Sequence, residues 1–215
     1  MAKIVFFTFD DGPKSVTGEV LDVLKAQSVV ADFFLTGSNV ISAGGKEKQR
    51  ALVKRMLAEG HAIANHCFKH YPAKLDDYES EYGDMSKPAQ KAAFKKNLDD
   101  NQTYFQELIE KPDLKFKFAR LPGDGRNHKP SVAEVGKVGL THIGWDYEYA
   151  PNGTMRHIGH KDWQGISGVA CTFDGFPPNN NVVLVHDAHW AGKMDLLTAL
   201  LKKLKDNGHS FKTIG

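Results

Sequence analysis

The chain has 215 residues, 41% of them hydrophobic, a length and composition suited to one domain with a full core. Its 28 Lys and Arg against 26 Asp and Glu give a formal charge of +2 with no basic block, which argues against a nucleic-acid partner. No apolar stretch approaches a spanning length, so no membrane partner is expected, and two cysteines, Cys67 and Cys171, are too few for a disulfide scaffold. The chain opens two residues before its first strand, which leaves no room for a signal peptide. The expected location is therefore either the cytoplasm or, for a mature exported form, outside it.

In chain order the pattern predicts a strand at 3–9, a helix at 16–26, a strand at 29–35, a helix at 46–59 and a strand at 61–64. A helix at 89–110, a strand at 115–119, a helix at 131–138 and a strand at 141–145 follow. A strand at 182–186, a helix at 194–205 and a strand at 210–214 complete the order. The helices show apolar residues three and four apart, as in Leu197, Leu200, Leu201 and Leu204. Strands alternating with helices predict an α/β fold with a parallel sheet, open or closed into a barrel, whose site lies at the carboxyl ends of the strands. Two connections, 68–88 and 147–181, are long enough to be rim loops that serve the site.

The polar residues of interest follow those strand ends. Thr8-Phe9-Asp10-Asp11-Gly12-Pro13 sets two carboxylates where an apolar strand breaks into a turn. Neighbouring side chains in a strand point to opposite faces, but Gly12 and Pro13 are expected to bend both carboxylates into one site. Two close carboxylates call for a cation or a shared proton. His66 and His70, four apart, are expected on one face of a helical turn, and with the aspartates they read as a metal site with a spare carboxylate. Arg120 follows the fourth strand, Glu148 the fifth and His186 the sixth.

The order Thr8 to Pro13, then His66-x-x-x-His70, then Arg120-x-Pro122, then Leu184-x-His186-Asp187 resembles the polysaccharide deacetylases of the NodB-like homology group, a carbohydrate esterase type. The resemblance implies a single-domain, distorted (β/α) barrel of about seven parallel strands over residues 1–215. It further implies metal-dependent removal of acetyl groups from acetylated sugars. Asp11, His66 and His70 would be the metal ligands, leaving an open position as catalytic zinc requires, with cobalt or another divalent ion as substitutes. Asp10 would be the general base, and Arg120 would hold it ionised and aimed. A backbone N–H in Pro122-Gly123-Asp124-Gly125 would face the oxyanion, although the bulky aromatic usual in that stretch is absent. His186 would be the general acid, since a departing amine needs a proton and histidine titrates near working pH. Leu184 would line the acetyl pocket, and Glu148, or else Asp146, would orient His186. Trp163 would stack on a sugar of the acetylated glycan substrate. A monomer is expected, and the resemblance favours a secreted or periplasmic mature form.

Cys67 stands where the family usually has Ser or Thr; it is read as a small packed residue, with soft metal ligation as the alternative. His157 and His160 with Asp162, and His189 beyond His186, form a rival ligand set by composition, but they lack an accompanying base. Gly44-Gly45-Lys46 lacks the other residues of a phosphate loop and is read as a helix start.

Overall fold

A computed structural model of the chain describes residues 3–70, 84–123, 125–149, 155–157 and 181–215. Its strands are β1 (Lys3–Gly12), β2 (Asp32–Leu35), β3 (Ala62–Asn65), β4 (Phe118–Ala119), β5 (Thr141–His142), β6 (Tyr147–Tyr149), β7 (Met155–His157), β8 (Asn181–His186) and β9 (His209–Phe211). The helices are α1 (Thr17–Ala26), α2 (Lys46–Ala58), α3 (Pro88–Ile109), α4 (Lys129–Lys137) and α5 (Met194–Asp206), with short 3-10 turns at Gly125–Asn127 and Asp187–Trp190. No helix among the described residues is long and apolar enough to cross a membrane.

Seven parallel strands stand side by side in the order β5-β4-β3-β2-β1-β8-β6, and β7 extends the row antiparallel to β6. Consecutive strands β5 and β6 occupy opposite ends of this row. Laid flat, its ends would be roughly 29 Å apart at the usual strand spacing. The link from His142 to Tyr147 can span only about 18 Å when fully extended. The row therefore has to curl, and the expected distorted barrel follows from chain connectivity alone.

Along β1 the alternation divides two environments. Val5, Phe7 and Phe9 are fully buried in the main core with Val20, Leu21, Leu24, Leu52, Val53, Leu197 and Leu201 of the covering helices. Thr8 and Asp10 face the concave side. Register sets the neighbours on that side: Asp10 lies between His186 and Phe34, and Thr8 lies between Leu184 and Asp32. A second cluster, with Phe94, Leu98, Leu121 and Val135, packs α3 and α4 against the β4 edge.

The strand expected at 210–214 starts one residue earlier and does not join the row. It pairs with the first residues of β1, Lys3 to Val5, on the edge that β2 takes over higher up. Beyond it Ile214 N–H lies 3.1 and 3.2 Å from the two carboxylate oxygens of Asp32. Strands β6 and β7 fall in the segment expected to be only a loop.

Candidate active site

Strand β1 delivers both aspartates to one place through a bulge. Its pairing with β2 runs Asp10↔Phe34 and then Gly12↔Leu35, so Asp11 is the extra residue. Asp11 takes φ 67°, a left-handed conformation that a non-glycine residue adopts only when its surroundings hold it there. Asn39 contributes by donating from Nδ2 to Asp11 O at 2.6 Å. The expectation that Gly12 supplies the bend is thus corrected: Asp11 itself carries the positive φ. Gly12 matters for space, since a Cβ there would stand 3.1 Å from Asp187 Oδ2.

Histidines 66 and 70 do not sit on a helical turn. They belong to the loop after β3, where Cys67 turns the chain at φ 65°. The loop is tied to α3 by Phe68 N–H on Asn97 O, Lys69 N–H on Asn97 Oδ1 and Asn97 Nδ2 on Lys69 O. Two further side chains, which the sequence pattern did not single out, brace its root. Asn65 Oδ1 accepts from Cys67 N and Asn101 Nδ2, and Asn101 also donates to Leu35 O while accepting from Gly37 N. Their only sequence signal is polarity at core positions, both being almost wholly buried.

The donor set converges on a point. His66 Nδ1 lies 2.7 Å from Arg120 O, an atom with lone pairs only, so Nδ1 carries the hydrogen and Nε2 presents a lone pair. That Nε2 is 3.2 Å and His70 Nε2 is 3.0 Å from Asp11 Oδ1, and all three ligand atoms lie within 4.8 Å of one another. Asp11 Oδ1 is nevertheless buried without a properly directed hydrogen bond. Burial opposes the Asp11 charge, yet His66 and His70 outweigh it and hold the carboxyl well below its ordinary range. Burial likewise opposes a charge on His66, and Asp10, Asp11 and the Arg120 carbonyl raise it all the same. Two imidazoles and a carboxylate with an orphaned oxygen fit a divalent cation.

Arg120, fully buried, holds the second carboxylate. Nη1 donates to Asp10 Oδ1 at 2.6 Å and to Thr8 Oγ1 at 2.8 Å, Nε to Ile143 O at 3.1 Å and Nη2 to Gly144 O at 2.9 Å. Its guanidinium lies 4.0 Å from the Phe34 ring centroid and 5.5 Å from that of Trp145. Asp10 Oδ2 remains on the cluster side, 3.8 Å from His66 Nε2.

His186 closes β8 beside Asp10, with Nε2 3.9 Å from Asp11 Oδ2. Asp187 anchors the turn that follows: Thr17 Oγ1 donates to its Oδ2 and Ala188 N–H to its Oδ1, while burial pushes its carboxyl up to about 6. Leu184 is buried against Trp145. Trp145 went unnoticed in the sequence because it reads as the end of a strand, whereas β5 stops at His142.

The expected orienting carboxylates are not on His186. Asp146 is engaged elsewhere: its Oδ2 accepts from Val182 N at 2.8 Å, and its own N–H donates to Val182 O at 2.9 Å. Glu148 pairs with Leu184, one row below His186 on the same face. His186 Nδ1 is buried with no hydrogen-bond partner among the described residues.

Pro122 is buried, and Gly123 takes φ 57° in a turn closed by Gly125 N–H on Pro122 O, so that N–H does not face an oxyanion. Cys67 packs with Phe94 and Leu98, burial pushing its thiol up to about 12, and it is no ligand. Asp124, Trp163, His160, Asp162 and Cys171 lie outside the described residues, as do most of the two rim loops. His157 falls in β7. Gly45 precedes α2, the helix start expected there.

A cation site at the mouth of a curled parallel barrel, with an Arg-held carboxylate on one flank and a histidine on the other, suits a metal-assisted hydrolase. A family model described as "Polysaccharide deacetylase" matches residues 1–143, and the chain belongs to that family. It is 34% identical over 213 residues, 99% of its length, to the peptidoglycan-N-acetylglucosamine deacetylase PgdA of Listeria monocytogenes. It covers only 38% of that protein, so it spans about two fifths of that relative's length. A peptidoglycan-N-acetylglucosamine deacetylase of Bacillus cereus is 27% identical over 218 residues, covering 99% of this chain and 86% of that one. Among solved structures, the family 4 carbohydrate esterase of Streptomyces lividans in complex with acetate superposes with a TM-score of 0.67 at 23% identity, over 99% of this chain and 93% of that one.

Proposed function

We propose that the chain hydrolyses N-acetyl groups of N-acetylglucosamine-containing glycans, of chitooligosaccharide or peptidoglycan type, with zinc as its ion and cobalt or another divalent ion as a working substitute. The observation that carries this reading is the convergence of Asp11, His66 and His70 on one point between Asp10 and His186. The relatives named for peptidoglycan N-acetylglucosamine support the substrate class. Asp11, His66 and His70 would hold the ion, which when bound polarises the acetyl carbonyl and acidifies a water.

The chain's own residues do the rest. Asp10 accepts the proton of the attacking water through Oδ2, because Arg120 occupies Oδ1 and holds the carboxylate in place. His186 Nε2 stands across the cluster and gives a proton to the departing amine. Leu184 and Trp145 offer the apolar wall for the acetyl methyl, the role for which the stretch after Pro122 has no aromatic. A monomer is the proposed working form, since Asp10, Asp11, His66, His70, Arg120 and His186 all belong to one chain. A cell-wall substrate would place the action outside the cytoplasmic membrane.

The test is acetate released from N-acetylglucosamine oligomers, peptidoglycan and acetylxylan by the zinc-loaded protein, with and without a chelator. Release from the first two that chelation abolishes is expected. Release from acetylxylan alone would move the substrate to O-acetyl esters, and release from none would leave a glycan-binding domain.

A further inference from the structure

Helix α2 turns Leu52, Val53 and Met56 to the core, and beside them stands a fully buried amide, Gln49. A buried amide calls for partners, and Gln49 finds them on two other elements. Its Nε2 donates to Gly37 O at 3.5 Å, in the loop after β2, and its Oε1 accepts the hydroxyl of Tyr104 on α3. Tyr104 is thereby held with its ring edge-to-face against Phe68, the centroids 5.5 Å apart and the planes at 62°.

Phe68 is held from another side as well. A Cβ at Gly37 would stand 2.5 Å from the Phe68 ring, so the ring lies against bare backbone that only glycine offers. Its main chain is fixed too, with Ser38 N–H donating to Phe68 O at 2.9 Å and Phe68 N–H donating to Asn97 O at 3.0 Å. Residues of α2, of α3 and of the loop after β2 thus make a seat for this one ring.

His66 takes its place directly from the frame, through Arg120 O at its ring and Leu35 O at its backbone N–H. His70 lies four residues on, its ring centroid 5.1 Å from that of His66. On the reading of His70 as a ligand of the ion, we infer that Phe68, Tyr104 and Gln49 are its positioning residues: the seated Phe68 ring sets where His70 Nε2 meets the ion. Two residues of chain reach at most about 7 Å, so a ring that leaves its seat carries His70 with it. Metal–ligand distances hold to about 0.2 Å, far less than such a shift. An amide on α2, outside the ligand set, therefore tunes the affinity of the site.

Double-mutant cycles against His70 test the seat, read as zinc affinity by competition with a chelating dye and as the visible bands of the cobalt-loaded protein. Neither readout needs a substrate. Tyr104→Leu and Phe68→Ala should each lose about tenfold or more in zinc affinity, the usual worth of a residue that orients a ligand. In a His70→Ala background the same two changes should cost less than about twofold, because the ligand they position is gone. Tyr104→Phe keeps the ring and gives up only the bond to Gln49, so it should show a smaller loss with the same dependence on His70. The cobalt bands of Tyr104→Leu should move toward those of His70→Ala. Equal losses with and without His70, or parental zinc affinity in both Tyr104→Leu and Phe68→Ala, would overturn the inference and leave the ion site standing. A His70→Ala variant that binds zinc as tightly as the parent would instead remove the ligand assignment, and the inference with it.

Discussion

Asp10 and Asp11 are chemically identical neighbours with opposite roles, and the bulge makes the difference. Asp10 stays in register and meets Arg120; Asp11 swings out at positive φ and meets two imidazoles. Asp11→Asn should therefore lose the ion, because an amide is a poor ligand beside two neutral histidines. Asp10→Asn should keep the ion and lose turnover by roughly 10²–10⁴-fold, the usual worth of general base catalysis. Elemental analysis and acetate release on both variants decide this, and equal loss of metal would mean that the two carboxylates share the ion. Cys67→Ala should bind as much metal as the parent, since the thiol points into the cluster of Phe94 and Leu98. A clear loss of metal would place the sulfur in the site after all.

At the scale of elements, the histidine loop owes its shape to α3 rather than to any helical tendency of its own. Asn97 clasps Phe68 and Lys69, and Asn101 ties Leu35, Gly37 and Asn65 together across β2 and β3. Asn101→Leu fills similar space but strands the Gly37 N–H in the interior, while the Leu35 carbonyl keeps the His66 N–H as its donor. It should cost about 1–3 kcal/mol in urea unfolding, the usual range for one orphaned buried group. Metal affinity should fall with it, because Asn65 and the root of the His66 loop lose a brace. A variant as stable as the parent would show that the network is ornamental. Arg120→Met should be more damaging, since it leaves the Asp10 carboxylate buried without its cation, a change that typically costs about 3–5 kcal/mol.

For the whole molecule, two buried groups, His61 and Asp32, set opposing pH dependences. Burial pulls His61 down to about 4; its Nδ1 accepts Ala31 N–H at 3.1 Å, so the ring is held neutral. Its folded value lies below its unfolded one, so its contribution is intact at neutral pH and is lost as pH falls from about 6.5 toward 4. Asp32, at the foot of β2, is pushed up to about 7 by burial. Its folded value lies above its unfolded one, so its contribution is full below about 4 and is lost as pH rises through 7. Asp32→Asn keeps an acceptor for Ile214 N–H and removes the buried charge. It should raise the urea midpoint at pH 8 and leave it nearly unchanged at pH 4, with a gain of about 1–3 kcal/mol at the higher pH. Equal shifts at both values would mean that Asp32 does not titrate in the folded state.

The features legible in the amino-acid order alone were periodic or strongly chemical: five helices to within two residues at each end, and the residues that meet at the strand ends. Apolar spacing is local, and a carboxylate or an imidazole at a strand end announces itself whatever surrounds it. Its misreadings concern how the chain gets there. A helical turn was expected for His66 and His70 because spacing of four has that meaning only when neighbours are helical, and here Asn97 and the left-handed Cys67 bend a loop instead. The bend in β1 was assigned to Gly12 on intrinsic freedom, although pairing with β2 imposes it on Asp11. No local signal separated Asp146 from Glu148, because their roles depend on Val182 and Leu184 some thirty-six residues away. Curling was likewise decided only in three dimensions, since the four residues between His142 and Tyr147 must join the two ends of a seven-strand row. That closure brings the Arg120 guanidinium onto Asp10 and Trp145 against Leu184, contacts that depend on long-range pairing and leave no periodic trace.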